Sequence, residues 1–234
     1  MRQFIDTYLS WDNLTESFPQ VWKGFRVNLA LMVVAEVFVL AWGLALALAR
    51  GSSTRVLAPL RWAAIAYIDL FRGIPALVVV YLVGFGIPIA GVPWVGDWSL
   101  FQLAALALTI VYGAYVAEVY RAGIESVHRS QTSAARSLGL SQTSTMRHVV
   151  LPQAVRRVIP PLLNDFISLQ KDTAFVGIIG LAEGFRRAQI YSGTNFNLSS
   201  MTGLALLFVV LTIPMTRFTD YLLKRDQERM RASA

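Results

Sequence analysis

Residues 99–117 read SLFQLAALALTIVYGAYVA, a run without one charged side chain. A helix that crosses a bilayer needs about 20 predominantly apolar residues, because its backbone satisfies its own hydrogen bonds while its side chains meet hydrocarbon. A helix in a soluble core keeps one wet face instead, and this stretch has none. Three other stretches behave alike: residues 27–49, interrupted only by Glu36, residues 73–95, and residues 198–216. The 234-residue chain is 55% hydrophobic and 15% charged, a composition that a soluble domain could also have. The gathering of its apolar residues into long uncharged runs is what points to an all-α integral membrane protein.

Lysines and arginines in the connections orient such a chain, since they gather on the cytoplasmic side. Arg50, Arg55 and Arg61 follow the first run without an acid, whereas the connection around residues 96–98 has only Asp97. The next connection carries Arg121, Arg129, Arg136, Arg147, Arg156 and Arg157, and the tail adds Arg217, Lys224, Arg225, Arg229 and Arg231. These basic segments belong inside. Even alternation then demands a fifth span between the central loop and residue 198, and residues 158–190 are the candidate. That segment holds Asp165, Lys171, Asp172 and Glu183, so it has to face protein or a water-filled path rather than lipid. The expected fold is five transmembrane helices, N-terminus outside and C-terminus inside, in one membrane domain over residues 1–234. Arg186 and Arg187 would then lie outside, against the charge rule.

Smaller signals fit this frame. Pro75, Pro88 and Pro93 with Gly84 and Gly86 predict a second span that kinks or ends early. Trp22, Trp62, Trp94 and Trp98 lie at span edges, where interfacial anchors belong. Phe4, Ile5, Tyr8 and Leu9 recur at helical spacing and predict a short helix on the outer face. Gly180 and Gly184, four apart, could let two helices approach closely. Met1–Gln20 carries Asp6, Asp12 and Glu16 and has no continuous apolar core, unlike a signal peptide. The net charge of +7 sits between apolar runs rather than on a soluble surface, which argues against nucleic acid as a partner. Cysteine is absent, and the two histidines, His128 and His148, are too few to make a metal site.

The central connection, about residues 123–152, is patterned beyond what a linker needs. Ser130 or Thr132 can cap a helix running through Ala134, Ala135 and Leu138, and Gly139 supplies a left-handed stop. Ser141 can cap a second helix that has to end before Pro152. Two short helices joined at a glycine make a compact knob.

The order Ser133-Ala134-Ala135, three residues, Gly139, nine residues, then Val149-Val150-Leu151-Pro152 resembles the Glu-Ala-Ala loop of ABC importer permeases. Phe71-Arg72-Gly73-Ile74-Pro75, Ala114-Tyr115-Val116-Ala117-Glu118, Leu151-Pro152-Gln153-Ala154, Asn164-Asp165 and Lys171-Asp172-Thr173 are similar to the polar amino-acid uptake branch of that family, which includes histidine, glutamine and arginine types. Ser133 departs from the usual Glu, Ser130 from a frequent Gly, and Asp165 from a more usual Glu. The resemblance implies a permease of the bacterial cytoplasmic membrane that imports polar or basic amino acids. It implies a second permease copy or paralogue, two ATPase subunits and an extracytoplasmic solute-binding protein. Ser133, Ala134, Ala135, Leu138, Gly139 and Pro152 would form the ATPase-coupling element.

No Gly-x-x-x-x-Gly-Lys-Ser/Thr loop is present, so ATP and magnesium would be bound by the partner ATPase and this chain would not be an enzyme. Asn164, Asp165, Ser168 and Asp172 share one helical face and are candidates for the substrate path, or alternatively for ion pairs that only hold the bundle. Glu118 can pair with Arg121 three residues on, and Asp69 with Arg72. Glu36 is a lone acid in mid-span. Two other classes compete: a channel or ion-coupled carrier, which would not need the coupling loop, and a membrane enzyme, for which no nucleophile and base stand together.

Overall fold

The computed structural model describes residues 1–52 and 54–232; Ser53, Ser233 and Ala234 lie outside the described residues, as do the side chains of Asp226, Gln227, Arg229, Met230, Arg231 and Ala232. The described residues hold helices and no strand. In chain order the helices are α1 (Arg2–Tyr8), α2 (Trp11–Gly51), α3 (Ala58–Gly73), α4 (Ala76–Tyr81), α5 (Ile87–Ile89), α6 (Leu100–Glu125), α7 (Arg129–Ser137), α8 (Gln142–Thr145), α9 (Leu151–Asp172), α10 (Gly184–Asn195) and α11 (Ser199–Ala232).

The uncharged run quoted above is α6, the centre of the bundle. Its start is fixed by a capping box: the Ser99 N–H donates to Gln102 Oε1 at 2.8 Å, and the Gln102 N–H donates to Ser99 Oγ at 3.4 Å. Helix α2 packs along it at close range because each helix offers a glycine to a large neighbour. A Cβ on Gly43 would stand 2.6 Å from Val116 Cγ1, and one on Gly113 would stand 2.6 Å from Trp42 Cδ1. Leu31, Ala35 and Val39 of α2 meet Leu108, Val111 and Val116 of α6 in the core, joined by Val79 and Val80 of α4 and Leu169 of α9. Tyr67 pins α3 to this pair, accepting from Trp42 Nε1 and donating to the Ile110 carbonyl, both at 2.9 Å. The short α1 forms where the spacing of Phe4, Ile5 and Tyr8 placed it. It rests against the start of α11, where the Leu198 N–H donates to the Thr7 carbonyl at 2.8 Å.

Helices α2, α6 and the Ser199–Arg225 part of α11 are long and apolar enough to cross a membrane. Two expected spans are not straight helices. The expected span at residues 73–95 is preceded by a helix, α3, where the sequence suggested a connection, and the two meet at Pro75: the residue before a proline avoids helical angles, Ile74 is extended (φ −98, ψ 132), and the chain bends by 107° between α3 and the helical segment that follows. That segment also passes through a π-helical turn at Leu82–Gly86 before α5. Residues 158–190 divide as well. Helix α9 ends at Asp172, a tight helical turn covers Thr173–Ile179, and Gly180 adopts φ +93, which an L side chain resists. Gly180 and Gly184 therefore do not form one close-approach face: the first ends a turn, and the second opens α10. Helix α9 carries Arg156, Arg157, Asp165, Lys171 and Asp172, and it packs between α6 and α11.

Candidate functional site

The knob forms, with two differences from its expected caps. His128, not Ser130 or Thr132, opens α7: its Nδ1 accepts from the Ser130 N–H at 3.2 Å. Helix α7 closes at Gly139, whose φ is +85. There the Gly139 N–H donates to the Arg136 carbonyl at 3.0 Å and the Leu140 N–H to the Ala135 carbonyl at 3.2 Å, the two reversed bonds of a Schellman stop. Ser141 caps α8 as its sequence suggested, accepting from the Ser144 N–H at 3.1 Å. The second helix does not end before Pro152. A π-helical turn at Met146–Val150 feeds it directly into α9, and the widened turn accommodates Pro152, which has no N–H to donate. Ser133, Ala134 and Gly139 are exposed, Leu138 is 84% exposed, and Ala135 is buried beneath them. An apolar tip thus projects among the exposed Arg129, Arg136 and Arg147.

The base of the knob is fastened to the long helices. Val127, Val150 and Ala154 form a small apolar cluster beneath it. Arg157 of α9 donates to the Ser126 carbonyl at the end of α6. Gln153 Nε2 returns to the Val149 carbonyl at 2.8 Å across the π turn. Helices α7 and α8 pack on each other and on the π turn, and the π turn leads into α9.

Next to this base the ends of three helices meet on one carboxylate. Glu118 of α6 takes Arg121 at 2.8 Å as the i,i+3 spacing suggested, and also Arg50 from α2 and Arg72 from α3, the latter at 3.7 Å. Arg72 therefore does not pair with Asp69. Its guanidinium lies 5.9 Å from the Tyr115 ring centre instead, a cation–π arrangement. Sequence spacing could reveal only the local partner, because Arg50 lies 68 positions from Glu118.

Glu118, Arg72 and Tyr115 form one side of a cavity of about 420 Å³, and Arg157, Pro161 and Asp165 belong to the other. Of the four residues expected to line a substrate path, Asp165 alone is part of this cavity. Its Oδ2 is buried without a hydrogen-bond partner among the described residues. Asp172 instead accepts from the Tyr112 hydroxyl of α6 at 2.8 Å, Asn164 is exposed, and Ser168 Oγ donates back to the Asn164 carbonyl at 3.1 Å. Lys171 is exposed and takes part in no ion pair among the described residues. Neither Glu36 of α2 nor Asp165 has a lysine or arginine within ion-pairing distance among the described residues.

A second polar cluster went unassigned in the sequence. Glu183 is wholly buried (0% exposed) and caps α10, its carboxylate accepting from the Phe185 N–H at 2.7 Å and the Arg186 N–H at 2.8 Å. Asn28 of α2 donates to the same carboxylate at 3.0 Å and to Thr173 Oγ1 at 3.1 Å, while its Oδ1 accepts from the Gly184 N–H at 2.9 Å. Every bond of this clamp satisfies a group that would otherwise be stranded, which keeps the Thr173–Ile179 turn, α10 and α2 in one arrangement. A Glu before a glycine was the available signal, but its partner stands 155 positions away.

Known proteins share this construction. Residues 40–226 match the family described as binding-protein-dependent transport system inner membrane component. A probable glutamine ABC transporter permease protein, GlnM, of Bacillus subtilis (strain 168) is 37% identical over 213 residues, which cover 91% of this chain and 95% of that protein. A glutamate/aspartate import permease protein, GltK, of Escherichia coli O157:H7 is 34% identical over 92% of this chain and 97% of its own length. Among solved structures, one of an amino acid ABC transporter with histidines superposes with a TM-score of 0.82 at 32% identity, over 90% of this chain and 96% of that one. The inward-facing MetNI methionine ABC transporter has a TM-score of 0.71 at 20% identity, a likeness of fold alone. With the family match spanning α2 to α11 and the relatives aligned along nearly their whole length, this chain belongs to the binding-protein-dependent transport system inner membrane components.

Proposed function

We propose that the chain is the permease subunit of an ATP-driven importer of polar or basic amino acids in a bacterial cytoplasmic membrane. The observation that carries this is the knob: a pair of short helices with Ala134 and Leu138 exposed, carried between the end of α6 and the start of α9. Such an element fits a groove on a moving partner, since its apolar face docks while its ends set direction. A channel or an ion-coupled carrier has no need of it.

In this proposal residues 1–234 form one membrane domain with five spans: α2, the bent α3–α4 pair, α6, α9 and α11. The N-terminus lies outside and the C-terminus inside. Helix α9 serves as a span by packing one side against α6 and α11, with its exposed polar residues facing a water-filled path rather than lipid. Ser133, Ala134, Ala135, Leu138, Gly139 and Pro152 make or shape the contact with the ATPase subunits. Those subunits bind ATP and magnesium, and this chain contributes no catalytic residue. A second permease completes the membrane pore, and an external binding protein delivers the amino acid.

Asp165 is the residue we place on the substrate path, with Asn164, Ser168 and Asp172 extending it along α9. Glu118 is already held by three arginines, whereas Asp165 lines the same cavity and has no ion-pair partner among the described residues. An unpaired carboxylate in a sparsely hydrated cavity attracts an ammonium group. Relatives that are glutamine and glutamate/aspartate permeases support amino acids as a class; the unpaired acid favours neutral and cationic ones.

A cysteine placed at the exposed Ser133 tests the docking. In the complex co-expressed with its ATPase, it should crosslink to the ATPase subunit, and a cysteine at Asp97 should not. Crosslinks from Asp97 alone would reverse the orientation.

A further inference from the structure

Two arginines stand where the charge rule does not place them, Arg186 and Arg187 in the first turn of α10. Packing explains Arg187. Its Nε donates to the Ala182 carbonyl at 3.1 Å, and its Cδ lies against the backbone of Gly24 on α2. Arg186 has no comparable role. It is exposed, its one side-chain hydrogen bond among the described residues runs from Nη1 to Gln189 Oε1 at 2.9 Å, and no carboxylate lies within ion-pairing distance among them.

Arg186 and Gln189 form the polar rim of a depression of about 500 Å³. Its remaining walls are largely apolar, with Leu77 of α4, Phe175 and Ile178 of the tight turn, and Phe185 of α10. The depression is separate from the Asp165 cavity and shares no lining residue with it. Its arginine is held at the root. The Arg186 N–H donates to the buried Glu183 carboxylate, and a Cβ on Gly177 would lie 2.5 Å from Glu183 Oε1 and force that carboxylate to shift. Glu183 also occupies the free N–H groups of the helix start, so the guanidinium, not the helix end, is the positive element of the depression.

We propose that Arg186, steadied by Gln189, receives the α-carboxylate of the incoming amino acid at the outer mouth, before the substrate reaches Asp165. This rests on the importer function and the outward N-terminus proposed above. A guanidinium offers parallel N–H groups that match a carboxylate two to two. Gln189 engages one terminal nitrogen, and the rest of the fork stays open to the depression. A space of this size lies within the range of small-molecule sites. Every α-amino acid carries the carboxylate, so this site selects the class, while selection among side chains happens elsewhere.

The test uses the whole complex in proteoliposomes with its binding protein. The probe is the radiolabelled amino acid that the wild type takes up, found by screening each standard amino acid. Arg186→Gln should lower uptake about tenfold, the loss expected when one charged hydrogen-bond partner is removed. Arg186→Lys should restore part of it. ATP hydrolysis should still be stimulated, at an unchanged half-saturating concentration of the loaded binding protein. A several-fold rise in that concentration would mean that Arg186 pairs with the binding protein instead, and would overturn the proposal. Unchanged uptake would overturn it too. Absence of uptake by the wild type for every amino acid would overturn the importer function and this site with it.

Discussion

At Glu118 three arginines converge on two carboxylate oxygens, whereas Asp165, across the same cavity, keeps a buried oxygen without a partner among the described residues. The first is a tie between helix ends and the second is an unused acceptor. Replacing Asp165 by Asn preserves shape and removes the charge, so uptake should need roughly tenfold more substrate if that carboxylate meets an ammonium group, as charged hydrogen bonds are worth about 1.5–3 kcal/mol. Concentration-dependent uptake by the Asp165→Asn complex measures this, and normal half-saturation with the ATPase still bound would return Asp165 to a structural role. At this scale the sequence spoke only through neighbours. The Glu118–Arg121 pair could be read from its spacing of three, while Arg50, Tyr112 and Asn28 reach their partners across 60 or more positions and depend on the packing of whole helices.

Between helices, the left-handed Gly139 decides how α7 presents its tip. Valine at that position resists positive φ by about 1–2 kcal/mol and would weaken both reversed hydrogen bonds of the stop. Gly139→Val should therefore insert and assemble like the wild type yet lose most of its ATP-driven uptake, a pair of measurements to be made on the same membranes; equal uptake would show that the turn does not transmit motion. Glycine and proline made the element scale the most legible one. Gly139 and Pro75 mark breaks that the backbone observes. Pro152 misled, because a π turn upstream lets the helix run on through a residue that normally starts or stops one. The division of residues 158–190 was harder to read, because charges interrupt their apolar character without showing where the helix turns.

As a whole, the molecule has a closely packed centre of α2 and α6 and an apolar exterior. Leu206, Val209, Val210 and Ile213 of α11 are exposed, which suits lipid or a second permease and would be costly in water. The uncharged runs announced this character; the bend of α3 against α4 and the amphipathic α9 obscured the number of spans, since charges and prolines are tolerated where protein surrounds them. The polar features divide into the basic knob, the Asp165 cavity beside it, and the Arg186 depression lined by α4, the tight turn and α10. A machine that passes an amino acid from one side to the other at the expense of ATP would need such an arrangement. The decisive measurement is accumulation of a labelled amino acid in proteoliposomes containing this chain, its ATPase and its binding protein, with and without MgATP on the ATPase side. Accumulation against the gradient should occur only with MgATP and loaded binding protein. Accumulation that follows an ion gradient in the absence of ATP would contradict it.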